Sequence, residues 1–215
     1  MVNAVIFDMD GVLVDSNRYV WQSFEEVLKP YNIKFTKEEI RAQLGNSLKD
    51  IIAGWNKKYN LNLVDVDKFS REAGEIQFKL MKNEKPDLFL IKFLESLKKH
   101  NIPMGVGTSS KKWRAEKMLK VLKIEKYFSA LVTADDVTEH KPNPHVFLEV
   151  AKRLSINPID CVVIEDAESG IEAAKRGNMK AIGFLREQNT RDEFKKADLI
   201  INSFSEIGYE DIRKL

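Results

Sequence analysis

The sequence predicts an α/β chain: a doubly wound parallel sheet carrying a small all-α domain inserted after its first strand. Three observations lead there. Short, unbroken apolar runs recur along the chain, the composition of strands covered on both faces. Amphipathic stretches of helical period separate them, so consecutive strands are joined by right-handed βαβ crossovers. From Ser16 to about Pro86, helical periodicity continues with no convincing strand.

Each element follows in order. Ala4 to Phe7 (AVIF) is a run rich in strand formers. Helices are then expected at about 17–30, 36–43, 47–58 and 65–83, a bundle of their own. The domains are therefore a core of 1–15 and 87–215 and a helical insertion of 16–86. Leu88 to Lys99 places Leu90, Phe93, Leu94 and Leu97 on one helix face. Met104 to Val106 is the second strand, and Lys111 to Leu122 a helix with Ala115, Met118, Leu119 and Leu122 aligned. Leu131-Val132 is the third strand. A helix from His145 to Leu154 follows Pro144. Cys161 to Ile164, Ala181 to Phe184 and Leu199 to Ile201 complete the strands.

Composition narrows the function classes. The 35 Lys and Arg against 33 Asp and Glu give a net charge of +2. The basic pairs Lys57-Lys58, Lys98-Lys99, Lys111-Lys112 and Lys195-Lys196 are scattered among acids, which argues against a nucleic-acid groove. No apolar run approaches the roughly 20 residues of a membrane span, and the N-terminal MVNAVIFDMD lacks the regions of a signal peptide. The single cysteine rules out a disulfide framework or a cysteine-rich zinc site and fits a reducing compartment. The expectation is a cytoplasmic protein, monomeric by default, with neither nucleic acid nor membrane as partner.

Polar residues end three of the strands: Asp8, Asp10 and Gly11 after the first, Thr108, Ser109 and Ser110 after the second, Glu165 and Asp166 after the fourth. In an open parallel sheet, ligands bind outside the carboxyl ends of the strands, so these residues converge. Four crowded carboxylates repel one another. A hard divalent cation relieves this, and Mg²⁺ takes oxygen ligands shared with a substrate phosphate. No His adjoins the acids, which disfavours a softer metal. Gly11 permits a tight turn whose N–H groups cradle an anion. Lys141, in HKPNP, is stiffened by Pro142 and Pro144 and suits pairing with a nucleophile and a phosphate.

These residues resemble the haloacid dehalogenase superfamily. Its first motif stands here as Asp8-Met9-Asp10-Gly11-Val12, with a further acid at Asp15; its second matches Thr108, its third Lys141 in the K-P-x-P segment, its fourth Glu165-Asp166-Ala167-Glu168-Ser169-Gly170. Four motifs in order, over essentially the whole chain, are highly specific where DxD alone would be weak. The resemblance implies a Rossmann-like core with a helical cap and an aspartyl-phosphate mechanism. Asp8 is then the nucleophile. Asp10 protonates the leaving oxygen and afterwards activates water. Mg²⁺ is held by the Asp8 carboxylate, the Asp10 backbone carbonyl and Asp166, with Glu165 acting through a bound water. Thr108 and Lys141 hold phosphoryl oxygens, joined by Gly11 and Ser109.

Within the family, the helical cap resembles the branch of beta-phosphoglucomutase and phosphoglycolate phosphatase. Val20 stands where the mutase carries a His, and Leu48 where it carries a cap Arg, with Lys49 beside it. Asp10 is intact, unlike in dehalogenases and phosphonate hydrolases. The expected activity is a Mg²⁺-dependent phosphatase of small phosphorylated metabolites. A phosphosugar mutase is the first alternative. The second is a non-catalytic binding protein, against which the intact Asp8/Asp10 pair argues. Specificity is expected from the cap loop Gly45 to Lys49, with Asn46 and Lys49 toward substrate; Arg18, Ser47 and Lys111 are further candidates.

Overall fold

Six parallel strands make one sheet in the computed structural model, which describes residues 1–43, 48–187 and 189–215, without the side chains of residues 18, 37, 41 and 42. The strands are β1 (Ala4–Phe7), β2 (Met104–Gly107), β3 (Ala130–Val132), β4 (Cys161–Glu165), β5 (Lys180–Phe184) and β6 (Leu199–Ile201), in the order β3-β2-β1-β4-β5-β6. The helices are α1 (Asn17–Val27), α2 (Lys37–Gln43), α3 (Leu48–Tyr59), α4 (Val66–Leu80), α5 (Leu88–Lys99), α6 (Lys112–Val121), α7 (His145–Leu154), α8 (Glu168–Arg176) and α9 (Tyr209–Lys214). The expected strands and the helices α5 and α7 fall where the periodicity puts them, within a residue. Among the described residues no helix is long and apolar enough to cross a membrane.

The chain divides into two units, Met1–Asp15 with Glu84–Leu215, and Ser16–Asn83. Asp87 already belongs to the sheet unit, where it caps α5 by accepting the N–H groups of Phe89 at 2.6 Å and Leu90 at 3.4 Å.

In the sheet unit, β1 is wholly buried and serves both faces. Ala4 and Ile6 join Val163, Ala181, Val146, Phe147 and Val150 in a core under α7 and α8. Phe7 meets an aromatic group on the other face, with ring centroids 6.2 Å from Phe93 and 5.7 Å from Phe128. Burial at about 25 cal/mol per Å² makes such two-sided strands the main source of stability. Register then positions the chemistry: Phe7 pairs with Val106 on one side and Ile164 on the other, so the residues that follow all three strands emerge at one edge.

The helical unit has its own core of Trp21, Phe24, Ile51, Ile52, Trp55 and Phe69. The Phe35 ring stacks on Trp55 at 4.9 Å, and Trp21 meets Phe24 edge-on at 5.5 Å.

Candidate active site

Asp8 is the first residue beyond β1, fixed there by its N–H donating to the Ile164 carbonyl at 3.0 Å. Its buried carboxylate accepts from Lys141 Nζ at 2.5 Å. The same ammonium donates to Glu165 Oε1 at 2.8 Å and to the Gly107 carbonyl at 3.3 Å, and sits 4.7 Å above the Phe147 ring. Only 6% of the Lys141 side chain is exposed. Burial opposes its charge, but Asp8 and Glu165 outweigh that and hold it protonated beyond the usual lysine range. Burial pushes the Asp8 carboxyl upward, with Lys141 working against it. Breaking such a buried ion pair from one side costs about 3–5 kcal/mol, because it strands the other charge.

Two glycines make room for the acids. Gly11 has φ +85°, and a Cβ there would stand 1.8 Å from Asp166 Oδ2, so the Asp166 carboxylate lies against the Gly11 backbone. At Gly170, early in α8, a Cβ would stand 1.9 Å from Glu165 Oε1. That gives the glycine of the E-D-x-x-x-G motif a physical reason: the helix must pass close over the glutamate. Glu165 Oε2 accepts the Ala167 N–H at 2.6 Å.

Thr108 follows β2, buried, its N–H donating to Val132 O at 3.0 Å and its hydroxyl accepting the Ser110 N–H at 3.1 Å. Ser109 is exposed; its neighbour Ser110 is the serine that reaches an acid, donating to Asp10 Oδ2 at 2.8 Å. Asp10 also accepts from both terminal nitrogens of Arg114, at 2.7 and 2.8 Å. Arg186, just past β5, donates its Nε to the Gly11 carbonyl at 2.6 Å and lies 4.3 Å over the Phe184 ring.

Arg114 and Arg186 were both missed by reading the sequence. Arg114 sits among lysines on an amphipathic helix, indistinguishable by composition from a solvated charge. The available signal was its i,i+4 spacing from Ser110. For Arg186 it was position at the carboxyl end of a strand.

Two of the four crowded acids find relief within the protein itself. Asp10 is met by Arg114, and Glu165 by Lys141 and a backbone N–H. Asp166 differs: burial, then the charges of Glu165 and Asp8, push its carboxyl up to about 9. Among the described residues no group of three or more His, Cys, Asp or Glu side chains is gathered as a metal site. The Asp8 and Asp166 carboxylates repel each other beside the Gly11 turn, whose own carbonyl is taken by Arg186. Two carboxylates with a carbonyl suit Mg²⁺, which keeps waters for its other positions.

The family model described as haloacid dehalogenase-like hydrolase matches residues 5–184. The chain belongs to this family. Among the relatives of this hydrolase, the beta-phosphoglucomutase of Bacillus subtilis is 31% identical over 97% of this chain and 93% of its own. The fructose-1-phosphate phosphatase YqaB of Escherichia coli is 34% identical over 83% of this chain and 94% of its own. Among solved structures, the beta-phosphoglucomutase of Clostridium difficile aligns with a TM-score of 0.83 at 27% identity, covering 100% of this chain and 96% of that one.

Two of the specificity candidates, Lys49 and Lys111, have described side chains. Lys49 is exposed on α3, and Lys111 is exposed just before α6. Asn46, Gly45 and Ser47 lie outside the described residues, as does the side chain of Arg18.

Proposed function

We propose that this hydrolase is a Mg²⁺-dependent phosphatase of small phosphomonoesters, working through a phosphoaspartyl intermediate on Asp8. The observation that carries the reading is the buried Asp8–Lys141–Glu165 chain at the sheet edge, with Asp10 two residues on. An Asp8 oxygen attacks phosphorus and the ester oxygen departs, taking a proton from Asp10. Water then gives a proton to Asp10 and attacks the phosphoaspartate, releasing phosphate and restoring Asp8. Such transfers need alignment and neutralised charge more than covalent chemistry. Lys141 and Thr108 hold the phosphoryl oxygens, with Ser109 at the same strand end; the Gly11 N–H, expected to join them, donates instead to the Val14 carbonyl at 2.8 Å. Mg²⁺ would be held by Asp8, the Asp10 carbonyl and Asp166, with Glu165 acting through water; bound there, it neutralises phosphoryl charge.

A mutase reading is favoured by the likeness to beta-phosphoglucomutase along nearly the whole chain. Two residues of the helical unit weigh against it. Val20 and Leu48, where the mutase carries its His and its cap Arg, are partly buried against the aromatic core of that unit. Apolar residues spent on packing cannot grip a second phosphate. Similarity to a phosphatase of fructose 1-phosphate makes phosphorylated carbohydrates the first substrates to try.

The test is phosphate release from p-nitrophenyl phosphate and from a panel of sugar phosphates. Release is expected to require Mg²⁺, to stop with EDTA and to vanish in Asp8→Asn while the protein remains folded. Turnover that survives Asp8→Asn would sink the proposal. Conversion of a sugar 1-phosphate to its 6-phosphate, dependent on a bisphosphate primer, would establish the mutase instead.

A further inference from the structure

Arg114 has no part in the reaction written above, yet it holds the carboxylate that moves both protons. We propose that Arg114 is a positioning residue for Asp10, setting the plane of that carboxylate for proton transfer. The inference rests on the reading of Asp10 as the acid and base of a phosphatase.

The geometry is specific. The terminal nitrogens of the guanidinium pair one-to-one with the two carboxylate oxygens, Nη1 with Oδ2 at 2.7 Å and Nη2 with Oδ1 at 2.8 Å. Two parallel bonds fix a plane, which a point charge cannot do. The terminal torsion of an aspartate is otherwise soft and broad. Ser110 adds a third bond, its hydroxyl donating to Oδ2 at 2.8 Å while accepting from Arg114 Nη1 at 2.5 Å. Ser110 is itself anchored: its N–H donates to Thr108, and its carbonyl takes the Ala134 N–H at 3.0 Å. The orientation of Asp10 is thus tied to β2 and α6 rather than left to its own turn. Only 15% of the Arg114 side chain is exposed. Burying a guanidinium is weak evidence for stability, because well-packed apolar residues often serve as well.

An effect that passes through Asp10 falls on proton transfer. With p-nitrophenyl phosphate the leaving group needs little acid help, so the loss should fall on hydrolysis of the phosphoenzyme. The experiment compares wild type, Arg114→Ala, Arg114→Lys, Asp10→Asn and the double variant Asp10→Asn/Arg114→Ala. Rapid-mixing kinetics on p-nitrophenyl phosphate with Mg²⁺ are read beside melting temperature. Arg114→Ala is expected to lower kcat about 10- to 100-fold, the scale of a small misplacement. KM should fall in step with kcat, so that kcat/KM and the Mg²⁺ requirement hold within about twofold. A burst of nitrophenolate should precede slow turnover. Methylguanidinium should restore part of the rate to Arg114→Ala and none to Asp10→Asn. Arg114→Lys, which keeps the charge but loses the fork, should remain slow; it also carries the test if the alanine variant fails to fold.

Adding Arg114→Ala to Asp10→Asn should cost nothing more. Losses that multiply in the double variant, or a raised KM with kcat kept, overturn the inference while the phosphatase reading stands. A folded wild type that releases no phosphate from any substrate tried overturns that reading, and this inference with it.

Discussion

Glu165 spends one oxygen on Lys141 and the other on the Ala167 N–H, and both contacts exist only because position 170 carries no side chain. In Gly170→Ala the new methyl gains about 0.5–1 kcal/mol of helix propensity. It also drives into a buried carboxylate from 1.9 Å, and overpacking of that kind costs about 1–3 kcal/mol. The clash wins. The expected outcome is a lower melting temperature together with a fall in kcat, as Lys141 loses its second anchor. An unchanged melting temperature would show that α8 can lift away without cost. At this scale the acids and Lys141 were legible because the acids follow strand ends and Lys141 stands just before Pro142 and Pro144. Ser110 was legible as a strand-end residue, but its bond to Asp10 was not, nor was Arg114, because each meets a residue about a hundred positions earlier.

α7 carries its site function through what holds its ends. Thr133 and Asp136 satisfy each other in the turn after β3, Thr133 donating its N–H at 2.8 Å and its hydroxyl at 2.6 Å to Asp136 Oδ2. Arg153, near the other end of α7, reaches Asp136 Oδ1 at 2.8 Å and the Leu131 carbonyl at 2.6 Å. The loop bearing Lys141 is strung between these fixed points. Burial pushes the Asp136 carboxyl up, but the bonds from Arg153 and Thr133 outweigh it and hold it at about 2, against an ordinary 3.8. The folded value lies below the unfolded one, so the stabilisation is fully present above about pH 4 and is lost as pH falls toward 2. Urea unfolding of wild type and Asp136→Asn should differ by about 1 kcal/mol at neutral pH, discounted for partial exposure, and the gap should close through that acid window. A gap independent of pH would assign the effect to packing. The sequence foretold α5 and α7 from their apolar stripes. It did not foretell α8, whose inner face is built of small residues, Gly170, Ala173 and Ala174, beside Ile171. Such a face fits close packing, but it lacks the large apolar side chains, such as Leu90, Phe93 and Leu94, that mark α5.

Across the whole molecule, strand order decides where chemistry is possible. The sheet runs outward from β1 through β2 to β3 on one side and through β4 to β6 on the other, so the connections after β1 diverge and leave a crevice at the carboxyl ends. Every strand, and every acid discussed, lies in the unit of Met1–Asp15 and Glu84–Leu215. Joining Asp15 to Glu84 by a flexible Gly/Ser linker of about a dozen residues should therefore leave a folded sheet unit. The expected result is cooperative thermal unfolding with α/β circular dichroism; a non-cooperative melt would show that the sheet depends on the insertion. This division was visible in the sequence as a long stretch without strands, because the periodicity of side chains marks where a sheet stops.

Two of the three tryptophans, Trp21 and Trp55, lie buried and edge-on to each other at 6.3 Å in the helical unit, while Trp113 stands near the start of α6 in the sheet unit. Indole emission is thus weighted toward the bundle, and catalytic turnover reports the sheet. Followed side by side in rising denaturant, the native chain carries a separate optical and chemical signal for each half, with no label attached. Replacing Trp113 by Phe would leave the light to the bundle alone.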